Sequence, residues 1–426
     1  MTNFKLLISL MFGAFLFIGV LFLVISPQNT TSAKGDVEIW GTVKSEHVRP
    51  LIDMIKTNQI NISYEQKAGS TYISELIEAF AGGKGPDVFF LPHELIVRFS
   101  DKVYPLSKEV ISERDFRDVF IREGELFRYG DNTLGLPMYV DPLVMYWNRD
   151  VFASANIATP PQYWTTLVDD VKTLVSYTDA GEIVSPAVAL GEFVNITHAK
   201  DLLSLLLLQT GSDIIEINDD GLEVSFIAGA LESVLRFYTE FARPGKDTYT
   251  WNRSLDEARN MFIAGDLPIY FGYASELSGI VVQNPHLDID MATIPQLQGM
   301  STRTTYGSLM GVAIARYTDN LPGAQYVQAG LVSEEVIASL VQSLNVAPAR
   351  TSLLSIPQED AFKDVYYQSA LFARGWLDPQ PKTSYTILKD VVESITSGRA
   401  RVSEVSTTLI RDFQTLIRET GTGAGY

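Results

Sequence analysis

The 426-residue chain predicts an α/β protein of two lobes behind an N-terminal membrane-directed segment. Three observations carry this. Strand and helix patterns alternate β-α-β-α-β over residues 37–91, the signature of a parallel sheet with right-handed crossovers. Helical patterns dominate from Leu321 onward, so a strand-rich start and a mainly helical second half suggest two units rather than one. Finally, Leu6 to Ile25 is a twenty-residue run without a charged side chain. At about 1.5 Å rise per residue it makes roughly 30 Å of helix, enough to cross a bilayer core.

The elements follow in order. Val37-Glu38-Ile39-Trp40 alternates and stops at Gly41, a strand and a turn. Glu46 to Lys56 is an amphipathic helix with Val48, Leu51, Ile52 and Ile55 on one face. Ile60 to Tyr64 is a second strand, and Tyr72 to Ala81 a second helix, ended by Gly82-Gly83. Asp87 to Leu91 is a continuous apolar run, as a buried parallel strand requires. Ligands of such sheets bind beyond the carboxyl ends of the strands, where Trp40-Gly41 and His93-Glu94 lie. Further on, helices are expected at 165–175, 198–208, 231–241 and 254–263, and buried strands at 267–271 and 311–315. The apolar stretch Leu202 to Leu208 is too short for a membrane span and reads as core.

The N-terminal run is longer than the apolar region of a typical signal peptide, and Pro27 obstructs cleavage directly after Ser26. An uncleaved anchor over residues 6–25 is therefore expected in preference to a cleaved signal. Everything from Asp36 onward then works on the outer face of the cytoplasmic membrane; with cleavage the protein is periplasmic or secreted. The chain has no cysteine, which excludes disulfides, thiolate metal sites and cysteine-linked lipids. With 51 acidic and 33 basic residues the net charge is −18, which disfavours nucleic acid as a partner. Four histidines without i, i+4 spacing argue against a zinc enzyme. There is no phosphate loop, dinucleotide fingerprint or nucleophile motif, and no cofactor is expected.

Several ordered segments carry a family resemblance: Val37-Glu38-Ile39-Trp40-Gly41, Ala79 to Val88, Leu134 to Asp141, Tyr146 to Phe152, Pro160 to Trp164, Phe262 to Asp266, Asn345 to Arg350 and Ser397-Gly398-Arg399. The set resembles the family 1 extracellular solute-binding proteins, the maltose-binding-protein-like receptors of ABC importers. The resemblance implies a two-lobed periplasmic-binding-protein-like fold with an interlobe cleft and hinge closure on ligand. By analogy residues 34–140 and 309–350 form lobe one, residues 141–308 and 351–426 form lobe two, and residues 1–33 are the anchor or signal. Hinges fall near Val140-Asp141, Tyr306 to Leu309 and Pro348 to Thr351. The implied partners are a small-molecule ligand, most naturally a sugar, and the membrane permease subunits, with the receptor itself a monomer and no enzyme.

A carbohydrate needs flat aromatics for its C–H faces and fixed polar groups for its hydroxyls. The resemblance nominates Glu94 and Asp141 as acidic contacts, Trp40, Tyr273 and Tyr385 as aromatic ones, and Ser308 beside Gly307 as a close approach near the second hinge. Each also has a structural reading. Trp40 and the two tyrosines can be packing residues, Glu94 a solvated loop acid, and Asp141 the start of a turn before Pro142. Asp87 after Gly85-Pro86 reads as a turn-ordering residue, His198 as a helix-start residue, and Trp147 and Trp251 as core. Polyamines, phosphate esters and other polyols remain open as ligands. Two other functions compete: an anchored sensor signalling to a membrane partner, and a glycoside hydrolase, which needs two opposed carboxylates in a cleft.

Overall fold

A computed structural model describes residues 33–129, 132–218, 221–227 and 229–421. The expected anchor at 6–25 lies outside the described residues. Among the described residues no helix is long and apolar enough to cross a membrane.

The first half of the α/β pattern forms as read. Strand β1 (Gly35–Gly41) pairs in parallel with both β2 (Ile60–Gln66) and β3 (Val88–Pro92), so it sits between them. Helix α1 (Ser45–Ile55) buries Val48, Leu51 and Ile55. Helix α2 (Tyr72–Ala81) buries Leu76 and also Tyr72, which the pattern did not place inward. Its hydroxyl donates to the Phe90 carbonyl at 2.7 Å, satisfying a polar atom that burial would otherwise strand.

The sheet then runs into the second lobe. Strand β4 (Leu136–Asn148) is continuous over 13 residues, where the sequence offered a turn signal at Asp141-Pro142. Its first part, Leu136 to Pro142, pairs antiparallel with a later strand, β7 (Thr305–Ile314). Its last part, to Asn148, lies between β5 (Ile269–Tyr273) and β6 (Ile289–Thr293). Pro142 stands where the strand exchanges partners, the place at which a missing N–H is tolerated. The spine of the sheet is β5-β4-β7-β3-β1-β2. Strand β7 extends further back than the expected 311–315 because Thr305 and Tyr306 find a parallel partner in Ala373-Arg374. Ala347-Pro348 adds to Val140 and Tyr139 on the other side.

Helix α3 (Ala199–Gln209) is buried along nearly its whole length. Gln209 reconciles that burial with its polarity, donating to the carbonyls of Pro295 and Thr304 and accepting from the Trp164 indole. Trp251 and Trp147 are buried, as expected of core residues. The helix expected from 254 begins only at Ala258, because the Asn252 side chain holds Ser254 in a turn and Glu257 caps the helix through Asn260 N–H. Two long helices complete the C-terminal part, α4 (Pro381–Thr396) and α5 (Val402–Gly421), packed on each other.

Candidate functional site

A cavity of about 410 Å³ opens where three element ends converge. Glu94 comes from the short 3-10 turn (His93–Leu95) directly after β3. Thr197, His198, Lys200 and Asp201 come from the start of α3, and Pro381, Lys382 and Tyr385 from the start of α4. One wall thus follows β3, and the start of the other packs on β5 through His198 and Tyr273.

Lys200 is the best-held charge on the wall. Its side chain is only 10 % exposed, and Nζ donates to Asp378 Oδ2 at 2.7 Å. Asp378 is itself buried and fixed by the Ser384 hydroxyl and by the Gln380 N–H. Burial works to lower the Lys200 ammonium, but Asp378, Glu94 and Asp201 outweigh it and hold it above its usual range. Glu94 lies 3.9 Å from the same ammonium. Burial pushes the Glu94 carboxyl up; Lys200 opposes this, and the charges of Asp201 and Asp378 reinforce it.

His198 anchors the rest of the wall. Nε2 lies 2.7 Å from Glu276 Oε1 and Nδ1 lies 3.7 Å from Asp201. Burial would lower the imidazolium, yet these two carboxylates raise it to about 9. Glu276 also accepts from Arg259, from the Tyr270 hydroxyl and from the Tyr273 N–H, and despite burial its carboxyl is held low.

The structure brings two of the six nominated residues, Glu94 and Tyr385, onto the cavity wall. Tyr385 is 43 % exposed and meets Phe193 in a T-shaped contact. Tyr273 lies behind the wall: its hydroxyl donates to Asp201 at 2.9 Å and its ring packs on His198. Asp141 sits on β4 at the crossing, accepting the Ser275 N–H, and burial pushes its carboxyl up to about 7. Ser308 is its register partner on β7. Trp40 is 8 % exposed; its indole donates to Glu38, and the Lys67 ammonium covers its ring at 3.5 Å. Trp40 is not among the cavity-lining residues. Asp87, read as a turn-ordering residue, instead accepts from the Glu38 N–H of β1 and from the distant Thr318 hydroxyl. His198 is the N-terminal flank of α3, as read, but it also reaches the cavity.

Sequence reasoning missed Lys200 and Asp201. The available signal was a Lys-Asp pair opening a leucine-rich helix, where a charge must find a buried partner. A second link runs behind Glu94. Buried His93 accepts the Leu309 N–H at Nδ1, and burial holds its imidazole down at about 4, so its proton resides on Nε2, facing the Tyr306 hydroxyl at 3.4 Å. That hydroxyl also lies 3.4 Å from Glu94. The crossing strand β7 is thereby tied to the cavity wall.

The model of the family described as bacterial extracellular solute-binding protein matches residues 47–329. No curated protein matches the sequence. Several solved structures are similar. The cyclic alpha-maltosyl-1,6-maltose binding protein from Arthrobacter globiformis has a TM-score of 0.75 at 13 % identity, covering 91 % of this chain and 100 % of that one. The sugar-binding protein MalE from Xanthomonas citri has a TM-score of 0.74 at 16 % identity, covering 90 % and 98 %. An ABC transporter solute-binding protein from Thermotoga lettingae bound with alpha-D-tagatose has a TM-score of 0.69 at 17 % identity, covering 90 % and 100 %. At these identities the likeness is one of fold.

Proposed function

This chain belongs to the bacterial extracellular solute-binding protein family, and we propose that it is a monomeric receptor that captures a carbohydrate outside the cytoplasm and delivers it to the permease subunits of an ABC importer. The observation that carries this reading is the make-up of the cavity. A partly exposed aromatic ring, Tyr385, stands beside charged hydrogen-bonding groups, Glu94, Lys200 and Asp201, contributed from different elements. That combination suits a ligand with apolar C–H faces and hydroxyl rims. The sugar ligands named for the similar structures support the same class. Binding rather than turnover is favoured because the wall carboxylate Asp201 is already engaged by the Tyr273 hydroxyl and lies beside His198.

A thermal-shift screen of the protein against mono- and oligosaccharides tests the proposal. A sugar present at 100 times its dissociation constant adds about 2.7 kcal/mol of stability, and glycan analysis afterwards should recover it intact. A screen in which no sugar shifts the transition would remove the carbohydrate reading.

A further inference from the structure

We propose that Glu94 and Lys200 form a two-sided clamp for one neutral hydroxyl of the ligand, and that this pair rejects sugars carrying charge at that position. The inference rests on the carbohydrate reading above and narrows it.

Asp378 has its cation in Lys200 at 2.7 Å. Glu276 has two, His198 at 2.7 Å and Arg259 at 2.8 Å. Asp201 holds the Tyr273 hydroxyl and lies 3.7 Å from His198. Glu94 is the carboxylate left without a close cation, and it accepts the Tyr306 hydroxyl at 3.4 Å. Among the described residues its one ion-pair partner is Lys200, at 3.9 Å, beyond hydrogen-bonding distance. Lys200 in turn has three N–H donors and commits one to Asp378. Acceptor and donor therefore face the same opening from opposite lobes, each with unused capacity.

The spacing decides what fits between them. An ammonium placed to meet Glu94 is brought close to the Lys200 ammonium. A carboxylate or phosphate placed to meet Lys200 is brought close to Glu94. Like charges at such range are costly. A hydroxyl donates to Glu94 and accepts from Lys200 at once, and a separation of 3.9 Å leaves its oxygen within about 2.8 Å of both. Three further charges sit on the wall, Asp201, Lys382 and the His198 imidazolium; Glu276 at 2.7 Å matches the imidazolium, and Asp201 and Lys382 have opposite signs, so they do not reverse this preference. Asp378 is the positioning residue. Anchored by Ser384 and the Gln380 N–H, it aims the ammonium across the cleft.

The test is isothermal titration of the full chain with the neutral sugar giving the largest thermal shift. Its counterparts carry an ammonium or a carboxylate in place of one hydroxyl, taken in turn around the ring; for glucose these include D-glucosamine and D-glucuronate. At one ring position both charged forms should bind about ten-fold or more weakly than the neutral sugar. Lys200→Met should narrow that gap for the ammonium form, and Glu94→Gln should narrow it for the carboxylate form. Because Lys200→Met strands Asp378, the double variant Lys200→Met/Asp378→Asn is measured beside it. Charged forms that bind the natural chain as tightly as the neutral sugar at every position would overturn the clamp. So would folded variants whose neutral-to-charged ratios do not move. Absence of binding by any sugar removes the carbohydrate reading and the clamp together, whereas sugar binding with unmoved ratios removes the clamp alone.

Discussion

His198 shows how a single side chain ties the binding wall to pH. Burial would push its imidazolium down, but Asp201 and Glu276 raise it to about 9, above its ordinary 6.5. A group raised on folding contributes stability that is fully present below the unfolded value and is lost as pH rises through the folded one. His198 should therefore contribute up to about 3 kcal/mol below pH 6.5, fading through about pH 9. The raised carboxyls of Asp141, about 7, and Glu123, about 8, also make stability fall with rising pH, beginning near their ordinary values of 3.8 and 4.5. Only a difference experiment isolates the histidine. Urea unfolding of the natural chain and of His198→Gln, compared at about pH 6 and about pH 10, should show the variant destabilised mainly at the lower pH. A gap of the same size at both values would mean that the histidine acts through packing alone. None of this was legible in the sequence, where His198 reads as a helix-start residue. Its partner Glu276 is 78 positions away, and no local pattern reports that contact. Glu94 was legible because the carboxyl end of a buried strand is a place that chain geometry fixes in advance.

Elements were legible where their periodicity was local, and obscure where a distant strand decided them. Helix α2 matches its expected limits because its apolar spacing and the glycines after it are contiguous. The length of β4 was hidden by Asp141-Pro142, a turn signal overridden by two different partners on either side of the proline. The 373–374 strand was hidden because two residues carry no period, and its place depends on Thr305 and Tyr306. That last crossing gives a test at this scale. A Cβ built on Gly375 would lie 2.5 Å from Glu123 Oε1 and 2.8 Å from His93 Nε2, both buried side chains. Neither can swing into solvent, so the backbone must shift. Gly375→Ala should cost about 1–3 kcal/mol, the usual scale of overpacking, read as a lower denaturant midpoint. A midpoint equal to that of the natural chain would show that the crossing is loosely packed. Gly307, whose Cβ would meet Val140 and Ala373 at 2.8 Å, marks the neighbouring crossing as equally tight.

For the molecule as a whole, the two crossing strands and the closing segments near Pro348 define where a hinge can act. We propose that, among the described residues, lobe one spans 34–140 and 309–350 and lobe two spans 141–308 and 351–421. Strands β4 and β7 support this, since each pairs with different partners on the two sides of Asp141 and Ser308. A ligand shifts an open–closed balance only through differential contacts with the two states. The cavity offers those contacts, because Glu94 follows β3 while Lys200 and Tyr385 belong to α3 and α4. A ligand touching only α3 and α4 would leave the lobes as free as before. We propose that one that also engages Glu94 bridges the lobes, so that its binding energy favours the closed form. Solution scattering of the protein should consequently show a smaller radius of gyration with a sugar confirmed by calorimetry than without it. Glu94→Gln should weaken both the affinity and the compaction, because it softens the contact from lobe one alone. If ligand leaves the scattering unchanged, the empty cleft is already shut or closure is not the mechanism. A cross-link joining the lobes at the cleft mouth separates these. In a chain without native cysteine, two introduced cysteines place it unambiguously. A locked protein that still takes up sugar at the natural rate would exclude an opening step, whereas one that binds only after reduction would restore the hinge.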